Sequence, residues 1–353
     1  MEKSYSVHKV TVQTFRQALV SYLFSINREQ DIPKIMSEFY DMDEYPGDRM
    51  PLDIVNKEFD LAVSFFQDEY IGLKVINYVD IRPLNLYRGL ELVIAPFFKR
   101  NVEVPFIIIC HLICRYSRLM TESLVIELTE IEGCLGLAFK PVLPAAICKH
   151  HIDSVVFAIH KIIKFFTQKN PVKLILSHRV SAHDLHLYRQ YFSASAELTT
   201  EHTCLCYRPT LNVENNSHVD MSDEFKHFIS NGFFINPLHH MFHEQFPEYR
   251  YAEQCQHILM TTMGVVHPTR EQVAQVLNMS VSSLQRRLKE ENVTFQEVLL
   301  NTRKKLAHKY LVEQKLSATY VASLLGYRSS SQFFTAFKSW FAMTPKSYKK
   351  MYS

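Results

Sequence analysis

Two sets of side chains near the end of this chain have the types and spacing to read base-pair edges. Ser282, Gln285 and Arg286 form one set; Ser330, Ser331, Gln332 and Thr335 form the other. At helical spacing each set shares a face, opposite Leu284 with Leu288 and Phe333 with Phe337. A Gln amide suits adenine and an Arg fork suits guanine, and each such bidentate pair discriminates by about 1–3 kcal/mol. Arg287, Lys289, Arg328 and Lys338 lie beside these sets and suit phosphate oxygens, which fix register without carrying sequence information. The chemistry in prospect is recognition of double-stranded DNA, with no bond made or broken.

Other reactive residue types form weaker constellations. His239, His240 and His243, then Cys148 with His150 and His151, then Cys204 with Cys206, all offer zinc-type donors. None sits in a CxxC or HExxH pattern, so no metal is expected. His183-Asp184 and the scattered serines assemble no recognisable triad. There is no Walker A or GxGxxG loop, and Gly is scarce at 8 residues. The reading is a non-enzyme without a cofactor. Phe65, Phe66, Phe97, Phe98, Phe106, Phe165 and Phe166 are read as core before they are read as the lining of an effector pocket.

The candidate base readers need short helices held at a steep angle. TREQVAQVLNMSVSSLQRRLKEEN (residues 269–292) and SATYVASLLGYRSSSQFFTAFKSWF (residues 317–341) each supply a helix-turn-helix pattern. In each, Ala then Leu (Ala274, Leu277; Ala322, Leu325) precedes a residue that tolerates left-handed backbone (Asn278; Gly326). One apolar residue (Met279; Tyr327) and a Ser-rich helix start come next. Thr269 with Gln272, Thr294 with Glu297 and Ser329 with Gln332 fit capping boxes. Ser280, Ser317 and Thr344 fit simple N-caps, the last with Pro345 at the first helical position. The caps predict about seven helices from residue 251 onward, with recognition helices at 281–291 and 330–341. Between them, residues 295–313 predict a connector of roughly 28 Å, near the roughly 34 Å between successive major-groove faces.

Charge agrees with this placement. Residues 251–353 hold 14 Lys and Arg against 6 Asp and Glu, whereas the first 250 hold 25 against 30. A basic module on an acidic body is the footprint of a nucleic-acid binder with a separate task upstream. With 353 residues and 47% hydrophobic content, the chain has material for two domains. Seven irregularly spaced Cys point to reduced thiols in a cytosol. The first residues show no signal-peptide pattern, and the longest apolar run, 104–114, is too short to span a bilayer.

Upstream, the pattern predicts helices at 10–24, 52–67, 87–100 and 105–121, with a polar loop before residue 51. A hairpin at 124–130 and 135–142 turns at Glu132-Gly133. A helix at 151–167, a strand at 172–178, a helix at 182–192 and strands at 196–198 and 203–207 complete an α+β domain with a small sheet. No tandem of short strands suggests a jelly roll. The expected organisation is a sensing or dimerisation domain at 1–211, a linker with bridging helices at 212–250, and an all-α DNA-binding domain at 251–353. The polar stretch at 212–224 is the linker candidate.

Two segments, VAQVLNMSVSSLQRRLKEENVTFQEVLLNTRKKLAHKYL and VASLLGYRSSSQFFTAFKSWFAMTPKSY, resemble the AraC/XylS family of bacterial transcription regulators. The resemblance covers nearly the whole C-terminal domain and implies two helix-turn-helix subdomains joined by a long helix. It also implies an activator that engages RNA polymerase at a bipartite promoter site. Where the family usually carries Arg this chain has Thr335, and where it has Gly the chain has Asn292 and Ala342. IGLKVINYVD, HLICRYSRLMTESLVIEL and AELTTEHTCLCYRPTLNVENN resemble the arabinose-binding-type α+β sensing domain of one branch, which implies effector binding, dimerisation, or both. A cytoplasmic, nucleoid-associated regulator without membrane contact is the expectation. A nucleoid-type protein of low sequence preference is its rival.

Overall fold

The structure is a computed structural model that describes residues 5–142, 147–177, 184–199, 201–208, 233–263, 266–314 and 316–352. The chain divides into two compact units, residues 1–91 with 109–210 and residues 92–108 with 211–353. The second unit thus takes in 92–108, a segment that the sequence reading grouped with the first 211 residues. The linker candidate at 212–224, residue 211 and the start of the bridging stretch at 225–232 lie outside the described residues.

In the first unit, α1 (Lys9–Ser25) begins where the His8 imidazole accepts the Val10 N–H at 3.1 Å. The stretch expected as loop holds a short helix, α2 (Ile32–Glu38), started by a proline in its first turn. Next come α3 (Leu52–Phe66) and α4 (Ile71–Ile76). At six residues, α4 is too short for its periodicity to be legible. Two strands of three residues, β1 (Ser6–His8) and β2 (Arg49–Pro51), pair antiparallel. Helices α5 (Asn85–Phe98) and α6 (Phe106–Tyr116) each run across a division between the units.

The expected hairpin is β3 (Leu124–Ile131) with β4 (Cys134–Pro141). Its turn puts Glu132 at φ 51° and Gly133 at φ 74°, the double left-handed step that matches strand twist. The long helix α7 (Lys149–Thr167) packs against α4. Then come β5 (Lys173–Leu176), α8 (Leu185–Phe192), β6 (Ser195–Leu198) and β7 (Thr203–Tyr207). The sheet order is β3-β4-β7-β5-β6, antiparallel except for the parallel β5–β6 pair. Every residue of β7 is buried, as a central strand covered on both faces requires.

In the second unit, α9 (Asn236–Gln245) precedes a run of seven helices. These are α10 (Tyr251–Thr262), α11 (Arg270–Val276), α12 (Val281–Glu290), α13 (Phe295–His308), α14 (Ala318–Leu324), α15 (Ser330–Phe341) and α16 (Pro345–Tyr352). Helix α13 continues without a break into one π-helical segment, Lys309–Glu313. The later helices share a core of Leu306, Leu311, Val321, Leu325, Phe333 and Phe337.

Candidate nucleic-acid interface

The first turn is built as its residues dictate. Thr269 and Gln272 form a complete capping box on α11. Asn278 takes φ 53°, and the Met279 N–H reaches back to Ala274 O at 3.0 Å, closing the turn. Ser280 then caps α12 by accepting the Ser283 N–H at 3.1 Å. Leu284 and Leu288 are buried. Ser282, Gln285, Arg286, Arg287 and Lys289 are exposed.

Among the exposed cations of α12 the surroundings differ. The Arg286 guanidinium lies 4.0 Å from Glu290, an exposed pair of little energetic weight. Arg287 is held more closely, 3.2 Å from Glu290 and 5.6 Å over the Tyr251 ring. That leaves Arg286 the freer of the two to reach outward. Just past the helix, the Glu291 carboxylate accepts the Tyr251 and Ala252 N–H groups at 2.8 and 3.0 Å, capping α10 from outside. This clamp aims α12, and local sequence reading missed it because the partners stand forty residues apart.

The second turn repeats the first. Gly326 takes φ 79°, and the Tyr327 N–H bonds Ala322 O at 3.0 Å. Phe333 and Phe337 are buried, and Arg328, Ser331, Gln332, Thr335 and Lys338 are exposed, whereas Ser330 is half-buried. Ser329 accepts the Gln332 N–H at 3.3 Å, so among the described bonds only this half of the expected capping box forms. The Thr335 hydroxyl donates to Ser331 O at 3.1 Å, which commits its proton to its own helix. Phe334, on the same helix as these residues, is 42% exposed. Helical spacing marks Phe333 and Phe337 as the buried pair and leaves Phe334 unassigned.

Side chains from outside each helix pair hold its turn. The Arg303 Nε–H of α13 donates to Leu325 O at 3.1 Å, and its guanidinium sits 5.0 Å over the Tyr327 ring. A Cβ on Gly326 would lie 2.8 Å from the His267 ring, so only glycine fits there. Burial, with Arg303 beside it, holds the His267 pKa below its ordinary value. At the first turn, the Asn278 amide contacts the His240 imidazole of α9. After each recognition helix, Asn292 and Ala342 both take φ 57°, the conformation for which glycine is the cheapest residue.

Among the described residues no three or more His, Cys, Asp or Glu side chains are grouped so that they could hold a metal ion. His239 is buried with neither ring nitrogen hydrogen-bonded, and its pKa is pushed down to about 3 by burial and by the neighbouring His257, His243 and His240. Burial raises Cys204 to about 11 and Cys206 to about 12, which keeps both as thiols. None of the seven cysteines is joined in a disulfide. His183 lies outside the described residues. No helix among the described residues is long and apolar enough to cross a membrane.

Comparison with known proteins falls on these same elements. Residues 273–351 match a family described as a helix-turn-helix domain. The ornithine utilization regulator of Pseudomonas aeruginosa is 40% identical over 83 residues, 24% of this chain and 24% of that protein. The transcriptional activator PerA of Escherichia coli is 33% identical over 81 residues, covering 23% and 30% of the two chains. Each match thus spans about a third or less of these relatives' own length. The transcriptional regulator CdpR from Pseudomonas aeruginosa aligns over 95% of this chain and 97% of its own, with a TM-score of 0.42 and 17% identity. The sequence likeness coincides with the paired turns and their helices, and residues 273–351 carry an AraC-type helix-turn-helix domain.

Proposed function

We propose that the chain is a sequence-specific, DNA-binding transcription regulator of the bacterial cytoplasm, an effector-responsive activator that occupies a bipartite promoter site. The observation that carries this reading is the α12 face, where Gln285 and Arg286 stand exposed above the buried Leu284 and Leu288 in a family-matched domain. On this reading residues 251–353 form two helix-turn-helix subdomains joined by α13. Ser282, Gln285 and Arg286 read bases in one major groove, and Ser330, Ser331, Gln332 and Thr335 line the other. Arg287, Lys289, Arg328 and Lys338 hold phosphates. Residues 1–211 sense an effector or pair two protomers, 212–250 link, and bound protein recruits RNA polymerase. The activator sense draws support from relatives named as activators.

Retention of fragments of its own genome on full-length protein tests this at about 0.15 M salt, where loosely held DNA is released. A few discrete fragments are the expected outcome. Uniform retention would replace specific regulation with a low-specificity, nucleoid-type role.

A further inference from the structure

The first unit contains a cavity of about 50 Å³ between β1, α1, α3, α4 and α7. That is room on the order of four waters or one small ring. Its walls are mostly aliphatic and aromatic, with Phe15, Phe59, Val155 and Ala158 among them. The polar wall groups are largely occupied. Glu58, 2% exposed, is bonded by the Arg16 guanidinium, whose other partner is Tyr40 O at 2.6 Å. The Thr14 hydroxyl donates to Val10 O at 2.7 Å. The His151 Nε2 lies 2.8 Å from the Ser123 hydroxyl.

Ser154 is the exception. Its Oγ is buried at the cavity wall with no hydrogen-bond partner, not even the carbonyl one turn back that a helical serine commonly uses. An unpartnered buried hydroxyl is costly, and the cost disappears when a ligand supplies the missing partner. Because Glu58 and Arg16 compensate each other, the cavity presents no spare charge of either sign, and an ion entering it would be desolvated without a counter-charge.

We propose that this cavity binds a small uncharged molecule, a hydrocarbon ring or short chain carrying one carbonyl or hydroxyl, with that oxygen bonded to Ser154. Its use as an effector site rests on reading the first unit as a sensor; the binding itself does not.

Cyclopentanone is the probe, titrated calorimetrically into the full-length protein beside cyclopentane, butyrate and butylammonium. The ring ketone binds saturably and the two ions do not. Ser154→Ala weakens the ketone about tenfold and leaves cyclopentane unchanged. Ala158→Met, which fills the space from α7, abolishes both. Absence of saturable ketone binding, equal binding of the ions, or loss of both neutral probes in Ser154→Ala would overturn the site. A ketone-dependent shift in DNA-binding midpoint that Ala158→Met removes supports the effector role. Ketone binding with unaltered DNA affinity overturns that role alone and leaves the site standing.

Discussion

The two helix-turn-helix pairs share one backbone plan and differ in what they present. Each has a left-handed residue at its turn and a serine cap at its second helix. Both show an exposed amide, Gln285 and Gln332, yet α12 adds the exposed Arg286 guanidinium, whereas α15 adds a back-bonded threonine, two serines and an exposed phenylalanine. Hydrogen-bonding forks read purine edges; an apolar ring or a methyl can read the thymine methyl and little else. Beneath them the cores differ in kind. Helix α12 rests on two leucines, and α15 on Phe333 and Phe337, which interlock with Trp340, Phe341 and Tyr348. On the proposed reading, one backbone plan therefore serves a first head with a guanidinium fork for base readout and a second head that is more stiffly braced.

The turns give the largest test of this contrast. Gly326→Ala puts a methyl against His267 and an L-residue at φ 79°, and is expected to cost roughly 2–4 kcal/mol. Asn278→Ala at the first turn is expected to cost only about 1 kcal/mol, mainly the left-handed strain. Urea unfolding measures both, and equal losses would show that the second turn is no more tightly braced than the first.

Base readout should divide likewise. Arg286→Ala is expected to cost about 1–3 kcal/mol at one base pair, while Lys289→Ala weakens all sequences alike and lowers the salt slope by about 1. Phe334→Ala is expected to cost about 1 kcal/mol, and deoxyuridine in place of thymidine in that half-site should erase the effect. Binding to systematically varied sites decides it: if Arg286→Ala and Lys289→Ala lose affinity equally with base preference unchanged, α12 is not the specifying head. Thr335→Arg sharpens the contrast from the other side, gaining up to about 1 kcal/mol and steepening the salt slope by about 1.

Smaller effects are expected where the backbone alone decides. Ala342→Gly should stabilise by about 1 kcal/mol and Asn292→Gly by a few tenths, since asparagine already tolerates φ 57°. Thermal unfolding would rank them, and a destabilised Ala342→Gly would contradict the strain argument. Acid gives the smallest effect. The His267 pKa is lowered in the fold, so its stabilisation is whole above the ordinary histidine value near 6.5 and declines as pH falls toward the folded value. His267→Gln should flatten that part of the stability-against-pH profile, and an unchanged slope would remove His267 from the brace.

Legibility in the sequence tracked the range of the interactions. The caps at Thr269 and Thr294, the turn at Asn278 and the buried Leu284–Leu288 pair are set by neighbours within a few residues, and all could be read from spacing. The hairpin at Glu132-Gly133 was legible for the same reason. Short elements such as α4 and the β1–β2 pair were not, because three to six residues carry no periodicity. The Glu291 clamp, the Arg303–Tyr327 contact and the His267 wedge escaped because their partners lie far apart in the chain. Phe334 escaped because its residue type argues for the interior.

The π-helical end of the connector bears on the shape of the DNA site. Each residue of an α-helix advances the chain by about 1.5 Å and rotates the remainder of the helix by about 100°. Adding or removing one residue in a plain connector would therefore turn the second head away from the duplex. A π turn takes one more residue per turn than an α turn, and here it closes the connector at its C-terminal end. On the proposed reading, the segment Lys309–Glu313 sets the direction in which the chain leaves the connector, so the angular offset between the two half-sites depends on those five residues as well as on the recognition helices.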